Sequence, residues 1–337
     1  MIVEGSIKLR FFSLAIIVWV CWFVFAGPQP AFYYIEEHWY ISLTMAFGSL
    51  IAGATSEGGG AIAFPVFTKL LNISPQDAKV FSLAIQSIGM TAASLIILAL
   101  KIRVEKKVLL WVSFGGMFGM YFGATVLSPL LPSAMVKMSF TVMIVSFAIT
   151  LYFLNRGIEL RNQQINNCQN KEISLLFVTG LIGGLMSGLV GNGIDIIAFS
   201  VMVLLFRINE KIATPTSVIL MAINAIWGFF LHYFFIGGFN DTVQAYWLAA
   251  IPIVVIGAPL GALICYHLPR VVIVNFLIIL IMIEFVTSLL LIPLTIQTLF
   301  MSGIMLILFA SLFLWMFKNQ SYIPKHHLEM NISSVKK

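Results

Sequence analysis

A chain of 337 residues would ordinarily hold two or three soluble domains, but 60% hydrophobic residues, 9% charged residues and a mean hydropathy of +1.02 place this one in lipid. The formal net charge of +6 leaves no basic face for DNA or RNA, because the cations sit in short loops and in the tail Lys318–Lys337, where they act on topology. Cys21, Cys168 and Cys265 are odd in number and lack metal-ligand spacing, so no disulfide framework, metal centre or cofactor is expected.

In a bilayer every backbone polar group must be satisfied internally, and a helix needs ~20 apolar residues to cross. Lys8 and Arg10 lead into the apolar run Phe11–Ala26, whose length and two tryptophans, Trp19 and Trp22, favour an uncleaved first helix over a signal peptide. An outer loop carrying Glu36 and Glu37 follows, and then Trp39–Leu71, a segment too long for one straight helix and interrupted at Ser56–Gly60. Crossings are predicted at Ala78–Leu100, Val108–Leu127 and Ser133–Leu154. A second interrupted segment, Ile173–Phe206, breaks at Gly191–Asp195, and crossings follow at Lys211–Ile236, Thr242–Cys265, Arg270–Ile292 and Thr295–Phe317. The expected architecture is therefore an all-α polytopic membrane protein. Its divisions are an extra helix and outer loop (1–38), a first repeat (39–154), a linker (155–172), a second repeat (173–293), another extra helix (294–317) and a basic tail (318–337).

The repeats are visible in the sequence itself. Shifting the chain by 135 positions without a gap lays Gly48–Ala93 over Gly183–Gly228 with 13 identities in 46 positions, among them Gly53/Gly188, Gly58/Gly193, Phe64/Phe199, Ala78/Ala213 and Ser82/Ser217. Each interrupted segment has a first arm of 17 or 18 residues and a second of 11, which at ~1.5 Å per residue reaches about half-way through a bilayer. If both segments crossed, the loop Lys101–Lys107 with its four Lys/Arg and the loop Asn155–Glu172 with its three would lie outside, against the positive-inside rule. Re-entrant hairpins bring both loops to the cytoplasm together with both termini. Each repeat then has three crossings, an odd number, so the second copy enters from the opposite side. Inverted repeats with broken helices near the midplane are the architecture of secondary transporters.

Gly53, Gly58-Gly59-Gly60, Pro65 and Ala78 with Ser82 in the first repeat answer to Gly188, Gly191, Gly193 and Ala213-Thr-Pro-Thr-Ser217 in the second. In these residues the chain resembles the sulfite exporter TauE/SafE family of membrane transporters. A Gly-Ala-Pro-Leu-Gly-Ala run at Gly257–Ala262 with Leu268-Pro269 adds to them, with an echo at Gly119–Ala124 and Leu131-Pro132. The resemblance spans Trp39–Ile292 and implies movement of small sulfur-containing anions, such as sulfite or organosulfonates, through a multi-pass protein of the cell (inner or plasma) membrane. The sequence departs from the pattern at Ser56 and Glu57, at Asp195 in a glycine position and at Ser200 in the proline position.

A helix that restarts after a break presents N–H groups and a positive dipole end, and glycines let a ligand approach the backbone. That makes Ser56, Gly58, Gly59, Gly60, Gly191, Asn192 and Gly193 candidate anion-binding residues, with tight helix packing as the alternative reading of the glycines. Ser82, Gln86, Thr216 and Ser217 supply neutral hydrogen-bonding groups on the helices after the breaks, joined by Thr214 and Asn224. For Glu57 and Asp195 three readings stand open: proton carriers, ligands of a cation such as Na⁺, or caps of the restarting arms. Glu284, mid-helix, is a proton-relay candidate; Lys69 is expected to snorkel to the interface and His232 to lie there too. The expected partners are a small anionic substrate, H⁺ or Na⁺ and the bilayer, with a homo-oligomer left open.

Enzyme readings find little support. The Gly-x-Gly-Asp of intramembrane aspartyl proteases is absent, because Gly193-Ile-Asp195 has an intervening residue, and Leu185-Met-Ser-Gly188 lacks the first glycine of a serine-type motif. The remaining alternatives are a cation-coupled carrier of a small organic acid and an ion channel. Nothing in the sequence resembles a filter repeat, and duplication favours a carrier.

Overall fold

The computed structural model describes residues 2–55, 64–154, 161–165, 170–293 and 295–319. Twelve helices make up the described chain: α1 (Ile2–Ala26), α2 (Pro28–Glu37), α3 (Trp39–Ala54), α4 (Pro75–Ala99), α5 (Lys106–Phe122), α6 (Ser133–Leu154), α7 (Asn170–Val190), α8 (Ile194–Ser200), α9 (Glu210–Leu231), α10 (Asp241–His267), α11 (Arg270–Leu291) and α12 (Ile296–Lys318). A three-residue turn at Ser128–Leu130 and four π-helical stretches complete the helical chain, and no strand occurs among the described residues. Seven helical segments are long and apolar enough to span a membrane among the described residues: six of the eight predicted crossings, and α7. The other two predicted crossings are also helical, in α1 and α6.

Local chemistry sets several of the boundaries. The Ser74 hydroxyl accepts the Asp77 N–H while Pro75 takes the first turn of α4, Asn209 accepts the Lys211 N–H ahead of α9, and Asn240 accepts the Val243 N–H ahead of α10. One predicted loop is corrected: residues 27–38 contain helix α2, opened by Pro28 and built of mixed aromatic and polar residues.

The duplication recurs in the backbone at the same 135-residue spacing. Val66–Leu70 and Val201–Leu205 are both π-helical, with the caps Leu71 N–H to Val66 and Phe206 N–H to Val201. Asn72 and Arg207 then both turn left-handed at φ 54, and the bonds Ile73 to Phe67 and Ile208 to Met202 close the two turns alike.

Contacts locate the ends of each interrupted segment. At the N-terminal end of α4, Asn240 donates to Asp77 at 3.0 Å, and the His38 ring, just before α3, lies edge-on to Tyr246 at 5.0 Å. Both ends of the first segment thus sit beside the start of α10. The second segment ends elsewhere. Asn162 pairs with Arg207 and Asn209, Arg161 donates to the Val203 carbonyl, and Glu105 accepts the Ile165 N–H while its own N–H reaches Thr216. Residues 161–165 lead into α7, so both ends of the second segment lie by the loop that follows α4. The two segments open at opposite ends of α4, a helix of 25 residues and ~37 Å.

Small residues hold the packing close. A Cβ on Gly53 would run into the Ala258 carbonyl and one on Gly261 into the Leu50 carbonyl, so this family-like pair is a backbone contact between α3 and α10. The predicted placement of two basic side chains is also corrected. Lys69 does not snorkel: it is buried and donates to Glu284 of α11 at 2.7 Å and to Ser288 at 2.6 Å, because a carboxylate inside the protein meets its charge. His232 is likewise buried, its Nδ1 2.9 Å from the Gly237 carbonyl oxygen, held by the turn that ends the helix.

Candidate functional site

The second break is the turn Gly191-Asn192-Gly193 between α7 and α8. Gly191 at φ 82 and Gly193 at φ 144 occupy backbone regions that L side chains rarely adopt, and a Cβ on Gly191 would lie 2.8 Å from the Lys79 carbonyl. The turn doubles back along α7, so that Gly193 faces Met186 and Ile194 faces Gly183. The sequence places Asp195 in the break; instead the helix restarts at Ile194 and Asp195 belongs to its first turn, because a carboxylate there can fold back onto the turn's own N–H groups.

That fold-back accounts for the donors. The Gly193 N–H donates to Asp195 Oδ1 at 3.0 Å, and the N–H groups of Asp195 and Ile196 and the Asn192 side chain crowd the same carboxylate. The Ile194 N–H goes to the Ser187 hydroxyl at 3.0 Å and the Gly191 N–H to the Ser187 carbonyl at 2.8 Å. Backbone donors predicted to receive an anion at the second break are thus engaged within the protein. Asp195 is fully buried, and its Oδ2 has no hydrogen-bond partner of full geometry among the described residues.

Neighbouring helices close over the turn. Gln86 donates to the Gly191 carbonyl at 3.3 Å and to Ser82 at 2.5 Å, and Ser217 donates to the Asp195 carbonyl at 3.5 Å. Asn224 Oδ1, buried and unpartnered, faces Gly116 of α5 beside the Ile194 side chain. The structure therefore brings together Ser82, Gln86, Gly191, Asn192, Gly193, Asp195 and Ser217. Thr216 lies apart, its hydroxyl accepting the Glu105 N–H and donating to the Ile212 carbonyl. Glu284 is apart as well. Its Oε1 accepts from Lys69, Ser288 and Thr141, and none of these touches Asp195. Ser56, Glu57, Gly58, Gly59 and Gly60 lie outside the described residues, as does Cys168.

Ser187 is the residue of this turn that sequence reading missed. It sits opposite Ala52 in the 135-residue register, so it reads as a small packing residue, and only the turn's geometry shows it capping Ile194.

A cavity of about 590 Å³ opens at the C-terminal end of α4. Its walls carry Lys101, Arg103, Lys211 and His267 and no carboxylate, and it reaches inward to Gly53, three residues before Ser56, and to Thr214. A concave site lined by one sign of charge concentrates the opposite ion.

A broken helical segment at Gly191–Gly193, a duplicated turn and a basic cavity leading inward define a multi-pass membrane transporter. The chain belongs to the sulfite exporter TauE/SafE family, which matches residues 40–291. No curated relative and no solved structure matches the chain. Membership makes the protein a membrane transporter of small anions and, at the level of the family, not an enzyme.

Proposed function

We propose that the protein is a secondary active carrier that moves a small sulfur-containing anion, sulfite or an organosulfonate, past the two breaks, with a proton taken up by Asp195 or Glu57 in the cycle. The observation that carries this reading is the basic cavity. Three Lys/Arg side chains without a carboxylate attract an anion to a funnel whose inner end touches Gly53 of one repeat and Thr214 of the other. The opposite opening of the two hairpins supports an inverted pair that rocks about this region.

An anion that approaches Asp195 meets a fixed negative charge in a medium of low dielectric, and the repulsion exceeds what one hydrogen bond recovers. A proton on the carboxyl removes it. The unpartnered Oδ2 is the atom on which that proton fits without displacing the Gly193 contact. Glu284 is a separate coupling candidate through its unpartnered Oε2, beside a pocket it shares with Lys69. A second reading has Na⁺ in place of H⁺, favoured by Asp195 Oδ2 as a buried acceptor without a donor of full geometry.

Proteoliposomes test the proposal. Saturable sulfite or sulfonate uptake with counterflow, accelerated by an inward proton gradient, is the expected result. Uptake that never saturates indicates a channel, and stimulation by Na⁺ alone replaces the proton. Replacing Arg103 and Lys211 together by Gln should raise the half-saturating anion concentration; an unchanged value removes the cavity from the path.

A further inference from the structure

The basic cavity has a counterpart that its own composition hides. A second cavity of about 560 Å³ lies at the N-terminal end of α4, lined by Gln76, Tyr121, Thr125, Ser128, Phe235 and Ile236 among others. Subtracting or adding 135 relates three of its residues to the first: Gln76 to Lys211, Phe235 to Leu100 and Ile236 to Lys101. The two cavities are the same place in the two repeats, at opposite ends of α4. Where one has Lys211 and Lys101 on its rim, the other has Gln76 and Ile236, so its rim lacks the cations.

The cation is one step deeper. Thr214 lines the basic cavity, and its repeat equivalent is Lys79. Lys79 is fully buried, and its ammonium donates at 2.9 Å to the hydroxyl of Ser128, which lines the second cavity and is 3.5 Å from Gln76 Oε1. No carboxylate is within ion-pair distance of it among the described residues. His232, within electrostatic range of Lys79, is engaged with the Gly237 carbonyl. The Lys79 main chain meanwhile abuts Gly191 of the break. A buried ammonium with one hydroxyl partner is costly, whereas a small anion in the adjoining cavity supplies both the missing charge and the missing acceptors.

We propose that Lys79, with Ser128, is the anion-binding group of the second mouth, the point at which a small oxyanion is held between that mouth and the Gly191 turn. This rests on the carrier reading above. It makes the carrier electrically asymmetric: cations on the rim at one end, a single recessed cation at the other.

Sulfite transport by full-length protein in liposomes, with half-saturation measured separately from each side, tests it. Lys79→Met should raise the half-saturating concentration from the Ser128 side by roughly ten- to hundredfold, the worth of a charge-assisted contact, and much less from the basic side. Lys79→Cys, with Cys21, Cys168 and Cys265 replaced by Ala, should behave alike, and 2-aminoethyl methanethiosulfonate should restore it while the neutral methyl reagent does not. Lys79→Gln, which keeps a donor to Ser128, guards against a fold defect and should show the same loss. Wild-type values from both sides in Lys79→Met, or equal rescue by both reagents, overturn the inference alone. Absence of saturable anion uptake in the wild type overturns the carrier reading and this inference with it.

Discussion

Lys69→Met should destabilise the protein far more than the loss of one contact suggests. The ammonium holds Glu284 at 2.7 Å and Ser288 at 2.6 Å inside the protein, and its removal leaves a buried carboxylate without a counter-charge. Breaking such a pair costs about 3–5 kcal/mol. Here the cost should fall at the low end, about 3 kcal/mol, because the hydroxyls of Thr141 and Ser288 still donate to Oε1, each at 3.0 Å, and charged hydrogen bonds of this kind contribute about 1.5–3 kcal/mol. Lys137, which donates to the Thr68 carbonyl next to Lys69, remains in place and softens the loss further. The double variant Lys69→Met/Glu284→Gln removes both charges and should return to within about 1 kcal/mol of the wild type, and with Glu284→Gln alone also costing about 3 kcal/mol the coupling energy is about 5 kcal/mol. Reversible unfolding of purified protein in mixed micelles, run for the four members of the cycle, measures this. A single variant within about 0.5 kcal/mol of wild type, or a double variant no better than Lys69→Met, would refute the claim that the pair is a buried charge pair joining the stretch Val66–Leu70 to α11.

Three further outcomes are expected. Asp195→Asn should fold, because an amide keeps an oxygen for the Gly193 N–H, and should flatten the pH dependence of sulfite uptake; an unchanged profile would leave Asp195 as a cap of α8 only. Gly193→Ala should lose about 2–4 kcal/mol, since φ 144 is strained for any side chain and the new Cβ would lie 2.7 Å from that of Met186, and thermal unfolding compared with Gly303→Ala, whose Cβ meets nothing within 4 Å, checks it. Single cysteines at Val104 or Gln163 should resist an impermeant maleimide applied to intact cells, and labelling from outside would reverse the assigned orientation.

Much of the fold is legible because lipid restricts the choices. Ser133–Leu154 is delimited identically by sequence and structure, and the other long helices begin or end within a few residues of the apolar runs. The helix α2 escaped because Pro-Gln-Pro-Ala-Phe-Tyr-Tyr-Ile-Glu-Glu is neither apolar enough to cross nor polar enough to be plainly a loop. At the site, the glycine register locates the break but not where its donors go. Asp195 changes role by a shift of one or two positions in the helix start, a scale at which apolar periodicity is silent. Lys69 and Glu284 are 215 positions apart, and no pattern within either segment shows that the two helices meet. Nothing in the sequence singles out Lys79, because its partner Ser128 lies 49 positions away.

The paired turns after the two π stretches carry a record of the chain's history. Asn72 and Arg207 each sit at φ 54, a conformation that asparagine tolerates but that costs arginine ~1–2 kcal/mol, and the same bend is met twice at the same repeat position. The side chains around those turns have meanwhile parted: Lys69 stands opposite Leu204, and Pro65 opposite Ser200. The bend is thus common to the two copies, whereas the chemistry around it differs between them. Because the bend does not depend on those side chains, the charge beside one turn can change without disturbing the other, half a molecule at a time.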